Sequence, residues 1–204
     1  MKLIGLYDSP YVRRTAVSLH LLGLPFEHEP LSVFSAYETF AAINPTVKAP
    51  TLVTDDSVVL LDSTLILEYA ERLVAAERSL TPEDPKLFAR AQRIVGLALA
   101  ACEKTVQIVY ELNLRPEGKR HQPWLERIQI QLAAAYEQLE TEVQNGSPWL
   151  FGDRPLQADV SAAISYRFTR EMLPERLDPA LHPNLAALSA YGEQTEAFLA
   201  CPFN

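Results

Sequence analysis

The chain has 204 residues, of which 48% are hydrophobic and 22% charged, so it can bury a core as one large domain or two small ones. Its net charge of −8 and isoelectric point of about 5.0 argue against a nucleic-acid partner or an anionic membrane surface. Cys102 and Cys201 have no paired or metal-like spacing, and no apolar run is long enough to span a membrane or serve as a signal peptide. We therefore expect a soluble cytoplasmic protein without a disulfide framework, a bound metal or a membrane partner.

The first third of the chain predicts alternating strands and helices, in the order βαβ and then αββα. Strands are expected at "KLIGLY", "PFEHEPL", "PTLVT" and "SVVLL", and the last two form a hairpin across Asp55 and Asp56. A short helix is expected at "SAYETFAAI", and a longer one at "DSTLILEYAERLVAAE" begins at Asp62 or Ser63. The first module is therefore a small mixed α/β unit.

The first predicted helix of this module is "PYVRRTAVSLHLLG". Val12, Ala16 and Leu19 share one face, which predicts that Arg13 and Arg14 turn away from the core. The glycine at the end of the quoted stretch suits a helix stop.

Beyond the first third, apolar residues recur every three or four positions, which predicts helices only. The polar stretch 77–86 contains two prolines and is predicted to link domains at 1–76 and 87–204. The break "LRPEGKRHQP" separates two long helices, and no role is predicted for the segment from Arg115 to Arg120 within it. A strand-containing module followed by a helical one predicts an α/β domain plus an all-α domain.

Four segments, in order along the chain, resemble the cytosolic glutathione S-transferase family, and in particular its bacterial serine-type members. They are "SPYVRR", "NPTVKAPTLV", "LLDSTLILEYAERL", and "LRPEGKR" with Trp124 after it. The resemblance implies an N-terminal thioredoxin-like domain, an all-helical C-terminal domain, a homodimer and a role in detoxification. One position departs from the family pattern: Leu156 stands where a serine or threonine usually opens a helix three residues before Asp159. Half of a capping box is then missing, and a threonine there is expected to stabilise the helix.

Ser9 is the candidate catalytic residue. A helix N-terminus favours an anion, and a hydroxyl that donates to sulfur favours thiolate over thiol. Lowering a thiol pKa by about two units requires roughly 2.7 kcal/mol of such preference. A serine followed by Pro10 is also an ordinary helix opening, and the two roles are compatible because a hydroxyl can accept one hydrogen bond while it donates another. Tyr7 is the alternative donor, since other members of the family use a tyrosine at the end of this strand.

The resemblance also implies the residues that bind glutathione, which serves as a co-substrate. The matching proline of the family, here Pro50, is cis, and the backbone of Ala49 beside it pairs with the cysteinyl backbone of glutathione. Lys48 meets the glycyl carboxylate. Ser63 and its helix N-terminus bind the γ-glutamyl carboxylate, and Asp62 lies near the ammonium group. From the local sequence alone, Ser63 is equally well read as a helix N-cap.

The second substrate is expected to be a small hydrophobic electrophile. Candidate residues for its pocket are Tyr7, Pro10, Tyr11, Phe34, Tyr110 and Leu114. The four histidines have no metal-ligand spacing. The predicted function is the conjugation of glutathione to such electrophiles. The alternatives are a glutathione-dependent thiol-disulfide oxidoreductase or peroxidase, and a non-catalytic glutathione-binding interaction protein. Thiol-disulfide exchange would favour a cysteine at position 9.

Overall fold

The computed structural model describes residues 1–144, 146 and 148–203, and its contacts divide the chain into two compact units. The first unit contains Met1–Leu80 together with the C-terminal segment 194–203, and the second contains Thr81–Glu193. The division between the two falls inside the polar stretch 77–86. Residues 194–203, which lie at the end of the helical domain predicted at 87–204, make their contacts with the first unit.

The first unit contains a four-stranded sheet with the strand order β2-β1-β3-β4. Strands β1 and β2 are parallel, whereas β1 pairs antiparallel with β3 and β3 pairs antiparallel with β4. The elements are β1 (Lys2–Ile4), α1 (Pro10–Leu22), β2 (Glu27–Glu29), α2 (Tyr37–Ile43), β3 (Thr51–Val53), β4 (Val59–Leu61) and α3 (Ser63–Glu71). The predicted order of strands and helices and the hairpin are confirmed.

Helix α1 is fixed at both ends by the residues that the sequence places there. Ser9 is its N-cap, Pro10 is its first residue, and Gly23 ends it with a φ of 69°, in the left-handed region that favours glycine. The helix also approaches the end of β1 closely, because a Cβ at Gly5 would lie only 2.6 Å from a methyl group of Val12. Glycine at position 5 therefore lets α1 pack directly on the strand that precedes it.

The second unit contains helices and no strand among its described residues. Its long elements are α4 (Pro85–Asn113), α5 (Gln122–Val143), α6 (Gln157–Met172) and α7 (Pro183–Gly192). The break between α4 and α5 has a structural explanation: Glu111 accepts hydrogen bonds from Arg115 Nε at 2.7 Å and from the backbone N–H of His121 at 2.9 Å. One buried carboxylate thereby holds the end of α4 against the start of α5.

The start of α6 has the half capping box that the sequence predicts. Asp159 accepts the backbone N–H of Leu156 at 2.9 Å and that of Leu150 at 2.7 Å. The N-cap residue Leu156 makes no side-chain cap, since it has no acceptor, and only 8% of it is exposed. The leucine is therefore a core residue as well as a poor cap. None of the helices in the described part of the chain is long and apolar enough to cross a membrane.

The C-terminal segment adds α8 (Glu196–Leu199) to the first unit, where it packs against α1. This packing contradicts the prediction that Arg13 and Arg14 turn away from the core, because they are only 1% and 4% exposed. Arg13 donates from Nε to the carbonyl of Cys201 at 2.7 Å and lies over the ring of Phe198. Arg14 points to α3. Helix α1 is covered on more than one side, so its arginines are buried rather than solvated.

Candidate functional site

The sheet brings three separate chain segments to one edge. Ile4 at the end of β1 pairs with Thr51 at the start of β3, and Thr51 pairs with Leu61 at the end of β4. These three residues form one row across the sheet. The segments just beyond the row carry Ser9 after β1, Lys48 to Pro50 before β3, and Asp62 with Ser63 after β4. The predicted glutathione-binding residues therefore cluster at one edge of the sheet.

Ser9 lies at the N-terminus of α1 and is partly exposed. Its Oγ accepts the backbone N–H of Val12 at 3.4 Å, which is long for a hydrogen bond. The hydroxyl hydrogen has no acceptor among the described residues. The hydroxyl therefore caps the helix weakly and keeps its own proton available for another acceptor, which makes the two roles of Ser9 compatible in this geometry.

Tyr7 lies in a different environment. It is 8% exposed, and its ring stacks on His28 with the centroids 3.9 Å apart. Its hydroxyl hydrogen-bonds with the thiol of Cys201, and burial raises the pKa of Tyr7 well above its usual value. Burial also raises the pKa of the Cys201 thiol to about 11, although Tyr7 and Arg13 favour its thiolate. The Tyr7 hydroxyl is thus engaged by the C-terminal segment, which favours Ser9 over Tyr7 as the donor.

The segment before β3 contains a cis peptide bond between Ala49 and Pro50, as the family resemblance implies. Pro50 is buried, Ala49 is partly exposed, and Lys48 is exposed. Neither the N–H nor the carbonyl of Ala49 is hydrogen-bonded to any described residue. A peptide ligand can therefore pair with this backbone without displacing an existing bond.

Helix α3 begins just after Leu61, the β4 residue of the same row of paired strand residues. Asp62 is its N-cap, with a φ of 72°, and accepts the N–H of Thr64 at 2.9 Å. Ser63 is consequently the first residue of the helix and not its cap, so the reading of Ser63 as an N-cap is wrong. Its side chain is 3% exposed, and its Oγ accepts a hydrogen bond from Arg14 at 3.0 Å.

Two of the predicted ligand-binding residues contact each other in this structure. Lys48 Nζ lies 3.3 Å from a carboxylate oxygen of Asp62, and both side chains are about half exposed. Burial works to raise the pKa of Asp62, but the N–H of Thr64, Lys48 and Arg14 together outweigh it and hold that pKa below its usual range. Asp62 is therefore a carboxylate at neutral pH, which suits contact with an ammonium group.

Arg14 is the site residue that sequence analysis missed. Its side chain is buried, with 4% of the residue exposed. It donates hydrogen bonds to Ser63 Oγ at 3.0 Å and to Thr64 Oγ1 at 3.3 Å. A periodicity argument assigns a charged residue to the solvent face, so no local signal indicated this position. Its place under the start of α3 adds a buried positive charge to the helix N-terminus.

The residues proposed for the second-substrate pocket are divided between the two units. Tyr7 and Pro10 are buried in the first unit, Tyr11 is partly exposed, and Phe34 is 58% exposed. In the second unit, Tyr110 and Leu114 lie at the end of α4 and are 44% and 58% exposed. A cavity of about 560 Å³ lies elsewhere, between α6 and α7, and none of these six residues lines it. No group of three or more potential metal ligands occurs within 1–144, 146 and 148–203.

Comparison with known proteins agrees with this architecture. Residues 3–78 match the N-terminal domain of glutathione S-transferases, and residues 122–190 match the C-terminal domain. The uncharacterized GST-like protein YibF of Escherichia coli is 31% identical over 174 residues, or 85% of each chain. The chain belongs to the glutathione S-transferase family.

Two further relatives of this glutathione S-transferase family member bear on its fold and activity. The maleylacetoacetate isomerase of Pseudomonas aeruginosa is 31% identical over 170 residues, which is 78% of this chain and 77% of that protein. The crystal structure of a glutathione S-transferase from Methylobacterium radiotolerans, in complex with glutathione sulfonate, is 29% identical with a TM-score of 0.90. It covers 100% of this chain and 95% of that chain. The predicted glutathione S-transferase family and the thioredoxin-like plus all-helical fold are thereby confirmed, and the serine-type assignment stays a prediction.

Proposed function

We propose that this protein is a glutathione transferase that conjugates the glutathione thiolate to small hydrophobic electrophiles. The observation that carries the proposal is the Ser9 hydroxyl at the N-terminus of α1, whose hydrogen has no acceptor among the described residues. A thiol of ordinary pKa, about 8.5, is mostly protonated at neutral pH. The hydroxyl and the helix N-terminus both stabilise the ionised sulfur, and so they raise the concentration of the nucleophile.

We assign the charged ends of glutathione to polar and charged residues at the same sheet edge. We assign the glycyl carboxylate to Lys48, the cysteinyl backbone to Ala49 beside Pro50, the γ-glutamyl carboxylate to Ser63, and the ammonium group to Asp62. The complex of the Methylobacterium radiotolerans relative with glutathione sulfonate supports a glutathione ligand for a fold of this kind. We infer that glutathione bound at its charged ends has its sulfur beside the Ser9 hydroxyl, at the start of α1.

The reaction is a nucleophilic addition or substitution by sulfur. The thiol proton passes to solvent, and the sulfur lone pair forms a new bond to the electrophilic carbon. With a chlorinated nitroaromatic substrate, the carbon–chlorine bond breaks and chloride leaves with the bonding electron pair. Ser9 lowers the free energy of the thiolate and takes no part in the bond changes.

Three alternatives remain for the test. A thiol-disulfide oxidoreductase or peroxidase is the first; its disulfide-exchange form is disfavoured by serine at position 9, because a mixed disulfide with the protein needs a cysteine there. A non-catalytic binding protein would retain glutathione without turnover. The third alternative is a cis–trans isomerase, which the maleylacetoacetate isomerase relative favours. In that reaction the glutathione thiolate would add to a carbon–carbon double bond and leave again after rotation about the resulting single bond.

One panel of assays separates these functions. Retention on immobilised glutathione tests binding, and loss of retention overturns the whole proposal. Purified protein is then assayed with a chlorinated nitroaromatic, hydroxyethyl disulfide, cumene hydroperoxide and maleylacetoacetate, each with glutathione. We expect the highest turnover with the chlorinated nitroaromatic. Retention without turnover of any substrate would make the protein a binding protein, and a preference for one of the other substrates would replace conjugation as the function.

A further inference from the structure

The cavity between α6 and α7 lies within the second unit and belongs to neither of the substrate sites considered above. Its volume is about 560 Å³, within the range of roughly 300–1,000 Å³ that small-molecule sites occupy. The residues assigned to glutathione belong to the first unit, and none of the six candidate residues for the second substrate lines this cavity. The cavity is therefore a candidate for a ligand that the proposed function does not use.

Tyr166 is the most informative residue of the cavity wall. It lies on α6, it is only 6% exposed, and its ring packs edge-on against Tyr136. Its hydroxyl makes no hydrogen bond with any residue that the structure describes. Buried hydroxyls nearly always have a partner, because an unpaired one loses the hydrogen bonds that it makes in water. A buried hydroxyl of this kind is suited to donate to a group that enters the cavity.

Arg170 brings further unused donors to the same cavity. Its Nη1 donates to the carbonyl of Leu177 at 2.8 Å and more weakly to that of Pro174 at 3.4 Å, but its Nε and Nη2 have no acceptor among the described residues. Burial raises the pKa of Tyr166 above its usual value, while the Arg170 guanidinium acts to lower it, which places the two groups near each other. The phenol is protonated at neutral pH, so both side chains offer hydrogen-bond donors there.

The other charges of the cavity wall largely cancel. Arg167 and Glu171 are one turn apart on α6 and form an ion pair, with Nε 2.8 Å from a carboxylate oxygen. Glu193 follows the end of α7 and balances the charge of the second arginine. What distinguishes the cavity is therefore the placement of its unused donors rather than its net charge. A carboxylate accepts from both a guanidinium and a hydroxyl, and such charge-assisted bonds are stronger than neutral ones.

We propose that this cavity binds a small organic carboxylate, whose oxygens accept hydrogen bonds from the Tyr166 hydroxyl and the Arg170 guanidinium. The apolar part of the ligand lies against Ala186 and Ala190, which line the cavity from α7. The guanidinium supplies the opposite charge, and the phenol fixes the orientation of the carboxylate. The inference goes beyond the proposed function and does not depend on it.

The test uses three probes of one shape and different charge: naphthalene-2-carboxylate, the neutral naphthalene-2-carboxamide and the cationic 2-naphthylmethylamine. Dissociation constants are measured by titration calorimetry with the full chain. The protein is first saturated with S-hexylglutathione, which occupies the proposed glutathione site and the apolar surface beside the sulfur. We expect the carboxylate to bind about tenfold more tightly than the amide, the difference typical of a hydrogen bond to a charged group, and the amine to bind most weakly.

Two variants place the probe in the cavity, and a third controls for charge. Tyr166→Phe removes only the hydroxyl; we expect about tenfold weaker binding of the carboxylate and no fall in the melting temperature of the free protein, because no described hydrogen bond is lost. Arg170→Met should remove the preference for the carboxylate over the amide. Arg176→Met removes the same charge in the turn Pro174–Arg176, at a residue that does not line the cavity, and should change binding less than twofold.

The outcomes distinguish this site from the proposed function. Equal binding of the three probes, a preference for the amine, or no binding at millimolar concentration would overturn the inference. So would an unchanged affinity for the carboxylate in Tyr166→Phe, which also decides the matter should Arg170→Met not fold. Failure of S-hexylglutathione to bind would count against the proposed function alone, because Tyr166→Phe still tests whether the carboxylate lies in the second unit.

Discussion

Replacing Ser9 with alanine removes a hydroxyl from the start of α1 and leaves the helix N-terminus in place. If that hydroxyl donates to bound thiolate, its loss costs about 1.5–3 kcal/mol, which raises the pKa of the bound thiol by about 1–2 units. Turnover at neutral pH falls less steeply than the thiolate fraction, because a more basic thiolate is more nucleophilic. The effect on folding is small. The cap bond to Val12 is long, at 3.4 Å, so we expect a loss near the lower limit for caps, about 0.5 kcal/mol.

The measurement is the ultraviolet absorbance of the thiolate as a function of pH, for unmodified protein and Ser9→Ala, each saturated with glutathione. Glutathione affinity should change little, since the charged ends of the ligand are assigned to Lys48, Asp62 and Ser63. Ser9→Thr keeps a hydroxyl and serves as the matched control, with a titration close to that of the unmodified protein. Identical titrations for Ser9→Ala and the unmodified protein would refute the reasoning, and the loss of stability alone would then define Ser9 as a cap.

Four further predictions concern other parts of the chain. Tyr7→Phe should leave the titration of the bound glutathione thiol unchanged and lower the melting temperature, because the tyrosine hydroxyl is hydrogen-bonded to Cys201. A raised pKa of the glutathione thiol in this variant would instead make Tyr7 the donor. Leu156→Thr should now destabilise the protein in thermal denaturation, since a buried leucine contributes about 1.5–3 kcal/mol and a new cap returns about 0.5–2 kcal/mol; a higher melting temperature would contradict this. Burial raises the pKa of Asp159 to about 6, although the N–H groups of Leu156 and Leu150 act to lower it. The folded protein is therefore more stable when Asp159 is protonated than when it is ionised. That stability, about 3 kcal/mol, is present below about pH 4 and is lost as pH rises to about 6; denaturant titrations of Asp159→Asn should lack this slope, and a variant that keeps it would exclude Asp159 as its source. Light scattering at micromolar concentration should give about twice 22.8 kDa for the predicted homodimer, and a mass of 22.8 kDa at all concentrations would exclude it.

Local patterns in the sequence were sufficient for the elements of the fold. Two short apolar runs separated by Asp55 and Asp56 located β3 and β4. Ser9, Pro10 and Gly23 located both ends of α1. Each of these signals acts within one turn or one hairpin. The family motifs located the segments that meet at the sheet edge. That they meet there follows from strand register, which local signals do not contain.

The predictions of solvent exposure were wrong where burial depends on contacts with distant segments of the chain. An amphipathic reading gives α1 one apolar face, but the helix packs on the sheet side, on α3 and on α8, so the positions of Arg13 and Arg14 are buried too. Their polar partners are the Cys201 carbonyl and the Ser63 hydroxyl, which lie 188 and 49 positions away along the chain. The N-cap of α3 was also ambiguous, because both Asp62 and Ser63 are good caps and only the backbone geometry distinguishes them.

The contact between Arg13 and the carbonyl of Cys201 has a consequence for the synthesis of the chain. The guanidinium belongs to one of the earliest elements to leave the ribosome, and its acceptor belongs to one of the last. Until residues 194–203 have been made, Arg13 lacks both the Cys201 carbonyl that accepts its hydrogen bond and the Phe198 ring over which it lies. The first unit therefore completes its folding only after translation of the entire second unit. A fragment cut at the linker, which looks like a whole domain in sequence, would lack this partner and should fold poorly on its own.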